Sequence, residues 1–288
     1  EDHVNRAVHL ALAPAKLERL TRLADRARIG VCVDSIAGLE ALLACRPASS
    51  VNVVDVYVEL DVGAGRCGVG DPTSALDLVR LIADRRHLRF GGIHAYHGRA
   101  QHLRSAGERA AAITEASRRV EVVQDLLACH DFRAPVVTGG GTGTFILEAT
   151  SGCYDEIQPG SYVFMDRDYA DNEPDEAAPR FAHSLFILSM VQSRRPTHAV
   201  VDAGHKAHTV DSGMPVIAGR PGLMYQRPSD EHGVIIAKEG TRLPDVGEVL
   251  RLIPGHCDPT VNLYDWLICI RDSEVADIWP VDARGAIS

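Results

Sequence analysis

The sequence predicts an α/β protein, an incomplete (β/α)8 barrel followed by an all-β domain, and three observations lead there. Apolar β-branched runs alternate with helix-length stretches through the first half of the chain, the pattern of βαβ units and a parallel sheet. Polar clusters follow the ends of those runs, at Asp34, Asp61 to Arg66, Tyr96 to His102 and Thr138 to Thr144, where (β/α)8 barrels and open α/β sheets carry their sites. Beyond Arg180 the helical spacing gives way to short strand-like runs broken by Gly, Pro and Asp.

Taken in order, Val8 to Leu12 is a short apolar run. Ala15 to Ala27 repeats Leu17, Leu20 and Leu23 at helical spacing. Ile29 to Val33 is continuous and β-branched, as in a buried parallel strand. Ile36 to Leu43 reads as a helix, Val53 to Leu60 as a strand and Ser74 to Ala83 as a helix. Phe90 to Ala95 reads as a strand, Ala106 to Cys129 as a long helix and Ala134 to Thr138 as a strand ending in a glycine turn. Tyr154 to Met165 opens strand-like. About six strands result, where a barrel needs eight, so two βα units are expected to be missing from the N-terminal side. The acidic, proline-containing stretch Asp166 to Arg180 has no periodicity. It predicts a linker over 167–180, between a partial barrel at 1–166 and a β domain at 181–288. In the latter, Phe181 to Gln192, His198 to Asp202, Gly233 to Ala237, Val249 to Ile253, Trp266 to Arg271 and Val275 to Trp279 read as strands.

Composition excludes several classes. A net charge of −9 over 288 residues argues against nucleic-acid binding, which calls for a basic face. Aromatics at 5% supply few stacking platforms for single strands. No apolar run approaches the ~20 residues that span a bilayer. The seven cysteines have no CxxC spacing and are odd in number, which predicts reduced thiols in a cytoplasmic protein. Of 30 basic residues only Lys16, Lys206 and Lys238 are lysines, which limits where lysine chemistry could occur.

The glycine run GGGTGTF, Gly139 to Phe145, follows a strand. Its amides and the Thr142 and Thr144 hydroxyls can cradle an anion. It is neither a P-loop nor a dinucleotide fingerprint, because the spacing fails and no clear helix follows; a plain tight turn would also account for it. His256 and Asp258 stand two apart. On a strand they share one side, with Cys257 on the other, and an imidazole with a carboxylate suits Zn, Mn or Mg. A structural turn is the competing reading. Arg66 lies in a glycine-rich strand end and offers a fixed fork of donors, or simply an ion pair to Glu59 or Asp61. His94, Tyr96, His97, Gln101 and His102 cluster at another strand end, where a general base would sit. His205, Lys206 and His208, and Asp230, Glu231 and His232, read as hairpin connections that either line a site or are solvated.

Taken together, VELDVGAGRCGV (Val58 to Val69), AYHGRAQH (Ala95 to His102), VTGGGTGTF (Val137 to Phe145), QPGSYVFMD (Gln158 to Asp166), VVDAGHKA (Val200 to Ala207), SDEHG (Ser229 to Gly233) and PGHCDPTVNLYDW (Pro254 to Trp266) resemble the D-threonine aldolase and D-serine dehydratase-like group of fold type III pyridoxal-phosphate enzymes. The resemblance implies an alanine-racemase-type barrel and a β domain, with pyridoxal 5'-phosphate and a divalent metal as cofactors. It implies that Gly140, Gly141, Thr142, Gly143 and Thr144 hold the cofactor phosphate, that Arg66 and Tyr96 sit against the pyridoxal ring, that His102 is the base at the substrate hydroxyl and that His256 and Asp258 bind the metal. The H-C-D form of the last motif resembles the aldolases, since D-serine dehydratases pair the histidine with cysteine. The implied reaction is metal-assisted retro-aldol cleavage of a D-β-hydroxy amino acid, of D-threonine or 3-hydroxy-D-aspartate type, to glycine and an aldehyde. Dehydration of D-serine or 3-hydroxy-D-aspartate in the same pocket is the rival. A homodimer is implied as well. One departure stands out: the family's Schiff-base lysine segment has no match in these residues. That matches the two units expected to be missing and admits a third reading, a binding protein or inactive homologue.

Overall fold

The computed structural model of the chain describes residues 5–9, 12–45, 52–175 and 177–286. The chain divides into two compact units, Glu1–Gly160 with Asp175–Ala178, and Ser161–Pro174 with Pro179–Ser288.

The first unit is built on six strands, β1 (Asn5–His9), β2 (Ile29–Val33), β3 (Val54–Glu59), β4 (Leu88–His94), β5 (Val137–Gly139) and β6 (Glu156–Ile157), which pair in parallel in chain order. Of the run Val8 to Leu12, residues 10–11 lie outside the described residues. The helices are α1 (Pro14–Leu23), α2 (Ile36–Ala44), α3 (Pro72–Ala83), α4 (Ala106–Ala128) and α5 (Phe145–Thr150). Local chemistry sets the starts: Ser35 accepts from the Gly38 amide to cap α2, and Asp71 accepts from Ser74 to cap α3, with Pro72 as the first helical residue. Strand β3 is buried along its whole length, as a central parallel strand covered on both faces should be. The Asp55 carboxylate within it is fully buried and held by Arg28 and Arg89 at 2.8 and 2.5 Å. Because the strands are parallel, Glu59, His94 and Gly139 end β3, β4 and β5 on one edge.

Two expectations change here. The strand at Tyr154 to Met165 shrinks to the two residues of β6, because Pro159 and Gly160 follow directly. A helix, α5, does follow the glycine run, opened by Thr144.

In the second unit β7 (Ile187–Arg194), β8 (Ala199–Val201), β9 (Val216–Ile217), β10 (Leu223–Pro228), β11 (Gly233–Ala237) and β12 (Val249–Ile253) form an antiparallel sheet of order β10-β11-β8-β7-β12-β9. Along β7, Ile187, Ser189 and Val191 point inward while Leu188, Met190 and Gln192 do not, the alternation of a sheet with one buried face. Strand β10, with Leu223 and Tyr225 inward, is absent from the sequence reading, since Gln226, Arg227 and Pro228 mask its period. The linker over 167–180 is not structureless: α6 (Arg167–Ala170) opens it, capped by Asp166, which accepts from the Tyr169 amide. A further helix, α7 (Cys257–Val261), precedes the hairpin β13 (Trp266–Arg271) and β14 (Glu274–Pro280). On one hairpin face the register pairs Trp266 with Pro280 and Ile268 with Ile278; Trp266, Ile268, Ile270 and Ile278 are each more than half exposed. No helix among the described residues is long and apolar enough to cross a membrane.

Candidate active site

The glycine run forms the turn between β5 and α5, and packing requires its glycines. A Cβ on Gly143 would lie 2.4 Å from the Gln101 carbonyl oxygen, and one on Gly141 would lie 2.6 Å from Gln101 Oε1 and 2.8 Å from Tyr96 Oη. Gly140 has φ +75°, which a side chain would strain. The Gln101 side chain accepts from the Gly143 amide at 2.9 Å and donates to Thr144 Oγ1 at 2.7 Å, and Thr144 donates onward to Glu148 Oε1 at 2.7 Å. Thr144 was expected to offer its hydroxyl to an anion. The structure corrects this: the Thr144 hydroxyl is buried and its proton goes to Glu148. Glu148 is itself buried, and burial raises its pKa above the usual carboxylate value.

Beside the loop, the Arg66 guanidinium lies over the Tyr96 ring at 5.7 Å, with Glu59 Oε1 3.7 Å from its Nη2. Asp61 does not pair with Arg66; it accepts from the Gly63 and Gly65 amides. His94 stacks near Tyr96, with ring centroids 6.4 Å apart, and its Nε2 meets Gln158 Oε1 at 3.3 Å. Cys32, Glu59 and His94 bring their ligand atoms within 4.8 Å of one another, a donor set that zinc accepts. Yet burial, and then Glu59, push the Cys32 thiol well above its usual pKa, and Arg66 already neighbours Glu59, so the trio reads as the floor of an arginine and tyrosine surface. Arg66, Tyr96 and Gly141 thus form one patch at the ends of β3, β4 and β5. Bare backbone, a flat ring and a guanidinium fit a phosphorylated pyridine aldehyde such as pyridoxal phosphate.

The histidines separate by environment. His97 is buried, burial lowers its pKa, and its Nδ1 accepts from the Ala100 amide. His102 ends the 3-10 helix Gly98–His102 and is exposed. His208 is a core residue, not a solvated turn: it is fully buried against Tyr225, with Nε2 3.0 Å from the phenol oxygen. Lys206 is exposed and paired with Glu231 at 2.7 Å.

In the second unit His256 and Asp258 do come together, but not on a strand. His256 stands at the residue just before α7, its side chain making no capping bond, and Asp258 lies in the helix's first turn, where Pro259 is also well placed. His256 Nε2 is 3.3 Å from Asp258 Oδ2, and Nδ1 is 2.6 Å from Asp211 Oδ2. Asp258 also accepts from Ser161 Oγ at 2.8 Å. The bond to Asp258, then Asp211, raises His256 to about 9, and the same bond lowers Asp258 to about 2. Burial works against the Asp211 carboxylate, but its bonds to His256 and Thr209 leave it below the usual range. Cys257 is buried, and burial pushes its thiol up, which opposes metal binding by sulfur. Donor atoms 3.3 Å apart suit two ligands each ~2.1 Å from one ion, and a carboxylate on the far ring nitrogen is how metal-binding imidazoles are oriented. The pair therefore fits a divalent cation. Asp211 escaped the sequence reading, since nothing in its D-S-G turn points 45 residues ahead.

Comparison with known proteins gives a consistent picture. Residues 3–168 match the alanine racemase N-terminal domain family and residues 184–270 the serine dehydratase domain family. A D-threonine aldolase from an Arthrobacter species is 44% identical over 275 residues, 95% of this chain and 72% of that protein. A 3-hydroxy-D-aspartate aldolase from Paracoccus denitrificans (strain Pd 1222) is 41% identical over 278 residues, 94% of this chain and 71% of its own length. The crystal structure of D-threonine aldolase from Filomicrobium marinum is similar with TM-score 0.92 and 42% identity, covering 97% of this chain and 75% of that one. A metal-free mutant of a D-threo-3-hydroxyaspartate dehydratase shares the fold, with TM-score 0.81 at 22% identity, over 95% of this chain and 78% of its own.

Proposed function

The chain belongs to the alanine racemase-like family that includes the D-threonine aldolases, and we propose that it cleaves the Cα–Cβ bond of a D-β-hydroxy amino acid, of D-threonine or 3-hydroxy-D-aspartate type, to glycine and an aldehyde. The observation that carries this reading is the Asp258 carboxylate beside His256, oriented by Asp211, with the neighbouring Cys257 buried. A carboxylate and an imidazole suit a hard cation such as Mn, Mg or Zn. The likeness to two aldolases above 40% identity supports it.

Gly140, Gly141 and Thr142 would hold the phosphate of pyridoxal phosphate, the Gly143 and Thr144 amides being bonded to Gln101 and to the Gly141 carbonyl, and Arg66 and Tyr96 would flank its ring. When bound, the cofactor supplies a sink for the electron pair left at Cα, and the cation lowers the pKa of the substrate hydroxyl. His102 takes the proton of the β-hydroxyl, directly or through water. The C–O bond becomes a carbonyl as the Cα–Cβ bond breaks, and Cα is then reprotonated to give glycine. Arg66 keeps one positive charge over the Tyr96 ring, balanced by Glu59.

The test is product analysis of the purified protein with pyridoxal phosphate, Mn²⁺ and either D-threonine or 3-hydroxy-D-aspartate. Glycine with acetaldehyde or glyoxylate is expected; a 2-oxo acid with ammonia would move the assignment to dehydration. Borohydride reduction followed by peptide mass spectrometry then reports whether Lys16, Lys206 or Lys238 carries a pyridoxyl group. None of these lysines lies in a segment that matches the family's lysine motif. The apolar hairpin face and the resemblance support a homodimer, which sedimentation tests. Seven free cysteines suit the reducing cytoplasm.

A further inference from the structure

We propose that Gln101 is a positioning residue: working through Thr144 and Glu148, it shapes the glycine loop so that the loop selects a phosphate dianion, and it does so without touching that phosphate. The inference rests on the pyridoxal phosphate reading of this site and adds the device that sets the loop's conformation.

Gln101 is 1% exposed, so both ends of its amide must find partners within the fold. The oxygen accepts from the Gly143 amide at 2.9 Å; the nitrogen donates to Thr144 Oγ1 at 2.7 Å and to the His97 carbonyl at 3.3 Å. One side chain after β4 thus grips two consecutive residues of the loop after β5. Thr144 then passes its proton to Glu148 Oε1 on the first turns of α5. The loop is held from the opposite side as well, since a Cβ on Gly140 would lie 3.2 Å from the Glu148 carboxyl carbon.

This grip determines which groups an anion can reach. The Gly143 amide is committed to Gln101, the Thr144 and Phe145 amides to the Gly141 carbonyl at 3.1 and 2.9 Å, and the Thr144 hydroxyl to Glu148. Gly140 to Thr142 is the stretch assigned to the anion, its conformation fixed before a ligand arrives, and preorganisation of this kind raises affinity by removing the ordering cost. The Glu148 end adds a charge argument. Glu148 is 1% exposed, its Oε2 meets no hydrogen-bond partner, and burial raises its pKa. Burial disfavours the ionised form of this carboxyl behind the anion cradle, and an ionised carboxylate there, in a low dielectric, would repel the anion.

The experiment compares pyridoxal phosphate with pyridoxal, which has the same ring and no phosphate, by fluorescence titration of the metal-free protein. Wild type should prefer the phosphorylated form. Gln101→Met should reduce that preference by about ten-fold while pyridoxal affinity stays within about two-fold, the effect of losing one well-made hydrogen bond. Thr144→Val should behave like Gln101→Met, and Thr144→Ser, which keeps the hydroxyl, should restore the preference; this pair stands if Gln101→Met does not fold. An undiminished preference in both Gln101→Met and Thr144→Val overturns the inference, and so does equal weakening of both ligands, the mark of a general packing role. If wild type shows no preference at all, the cofactor reading of the loop falls, and the inference with it.

Discussion

The glycine loop after β5 and the α7 turn in the second unit each suit one charged partner, and they are built on opposite principles. Around the loop, Gln101, Thr144 and a buried Glu148 join through a chain of hydrogen bonds, and steric limits at Gly141 and Gly143 fix the backbone. Around His256 the groups carry fixed charge: Asp211 and Asp258 both bond the imidazole, and their side chains are half or more exposed. A site for an anion can be made from backbone donors alone, because amides carry positive partial charge without a counterion. A site for a cation needs carboxylates, and those repel one another until a proton or a metal sits between them. The His256 value of about 9 expresses that waiting charge. The loop is thus specified by shape and the α7 turn by charge, and each should fail when its own principle is violated.

The largest effect is expected from shape. Gly143→Val forces a side chain into the Gln101 carbonyl, 2.4 Å from where its Cβ must lie. Overpacking of this kind costs about 1–3 kcal/mol, and pyridoxal phosphate binding should fall at least ~100-fold because the cradle cannot keep its form. Denaturant unfolding and cofactor titration measure the two effects. A Gly143→Val protein that binds the cofactor like wild type would show that the close approach has no bearing on the site. Next, His256→Ala should weaken Mn²⁺ binding by roughly 100-fold, through loss of one of two protein ligands, with pyridoxal phosphate affinity unchanged. Calorimetric titration of each ligand separates the two; a variant that loses both would end the claim that the sites rest on independent principles.

How far the sequence reveals each site follows the same division. The loop is legible because glycines written in series have few other uses, and β2, β11, β12 and β13 are found at their observed bounds because their residues are either continuously apolar or alternate. What shapes the loop is not legible: Gln101 and Glu148 carry no local pattern, and their role comes from the approach of β4 and β5. The metal pair is visible as H-x-D, yet its geometry is misread as a strand. The corrective signal is Pro259, a residue that favours the first turn of a helix, so the pair closes around an N-cap. Asp211 is invisible for a third reason, since a carboxylate in a turn is ordinary until the fold lays it against an imidazole. β10 is hidden by Arg227 and Pro228 at its outer end.

A smaller effect sharpens the charge side. Asp211→Asn keeps a hydrogen-bond acceptor for His256 Nδ1 but removes the charge, so Mn²⁺ affinity should drop about ten-fold, as for loss of a carboxylate that orients a ligating imidazole. An unchanged Mn²⁺ affinity would make Asp211 a bystander.

The smallest effect tests the shape side through pH. Burial raises the Glu148 pKa above its ordinary value of 4.5, so the native state holds this proton more tightly than the unfolded chain. The resulting stabilisation is complete below 4.5 and is lost as pH rises through the folded value, because ionisation then happens more readily in the unfolded state. Glu148→Gln keeps a neutral acceptor for Thr144 and cannot ionise. Its melting temperature, compared with wild type, should therefore decline less steeply as pH rises from 4.5 toward neutrality. If the two curves run parallel over that range, Glu148 does not titrate on unfolding, and burial does not shift its proton equilibrium. Asp258, held at about 2, stays ionised in the folded protein over that range, so it does not account for the divergence.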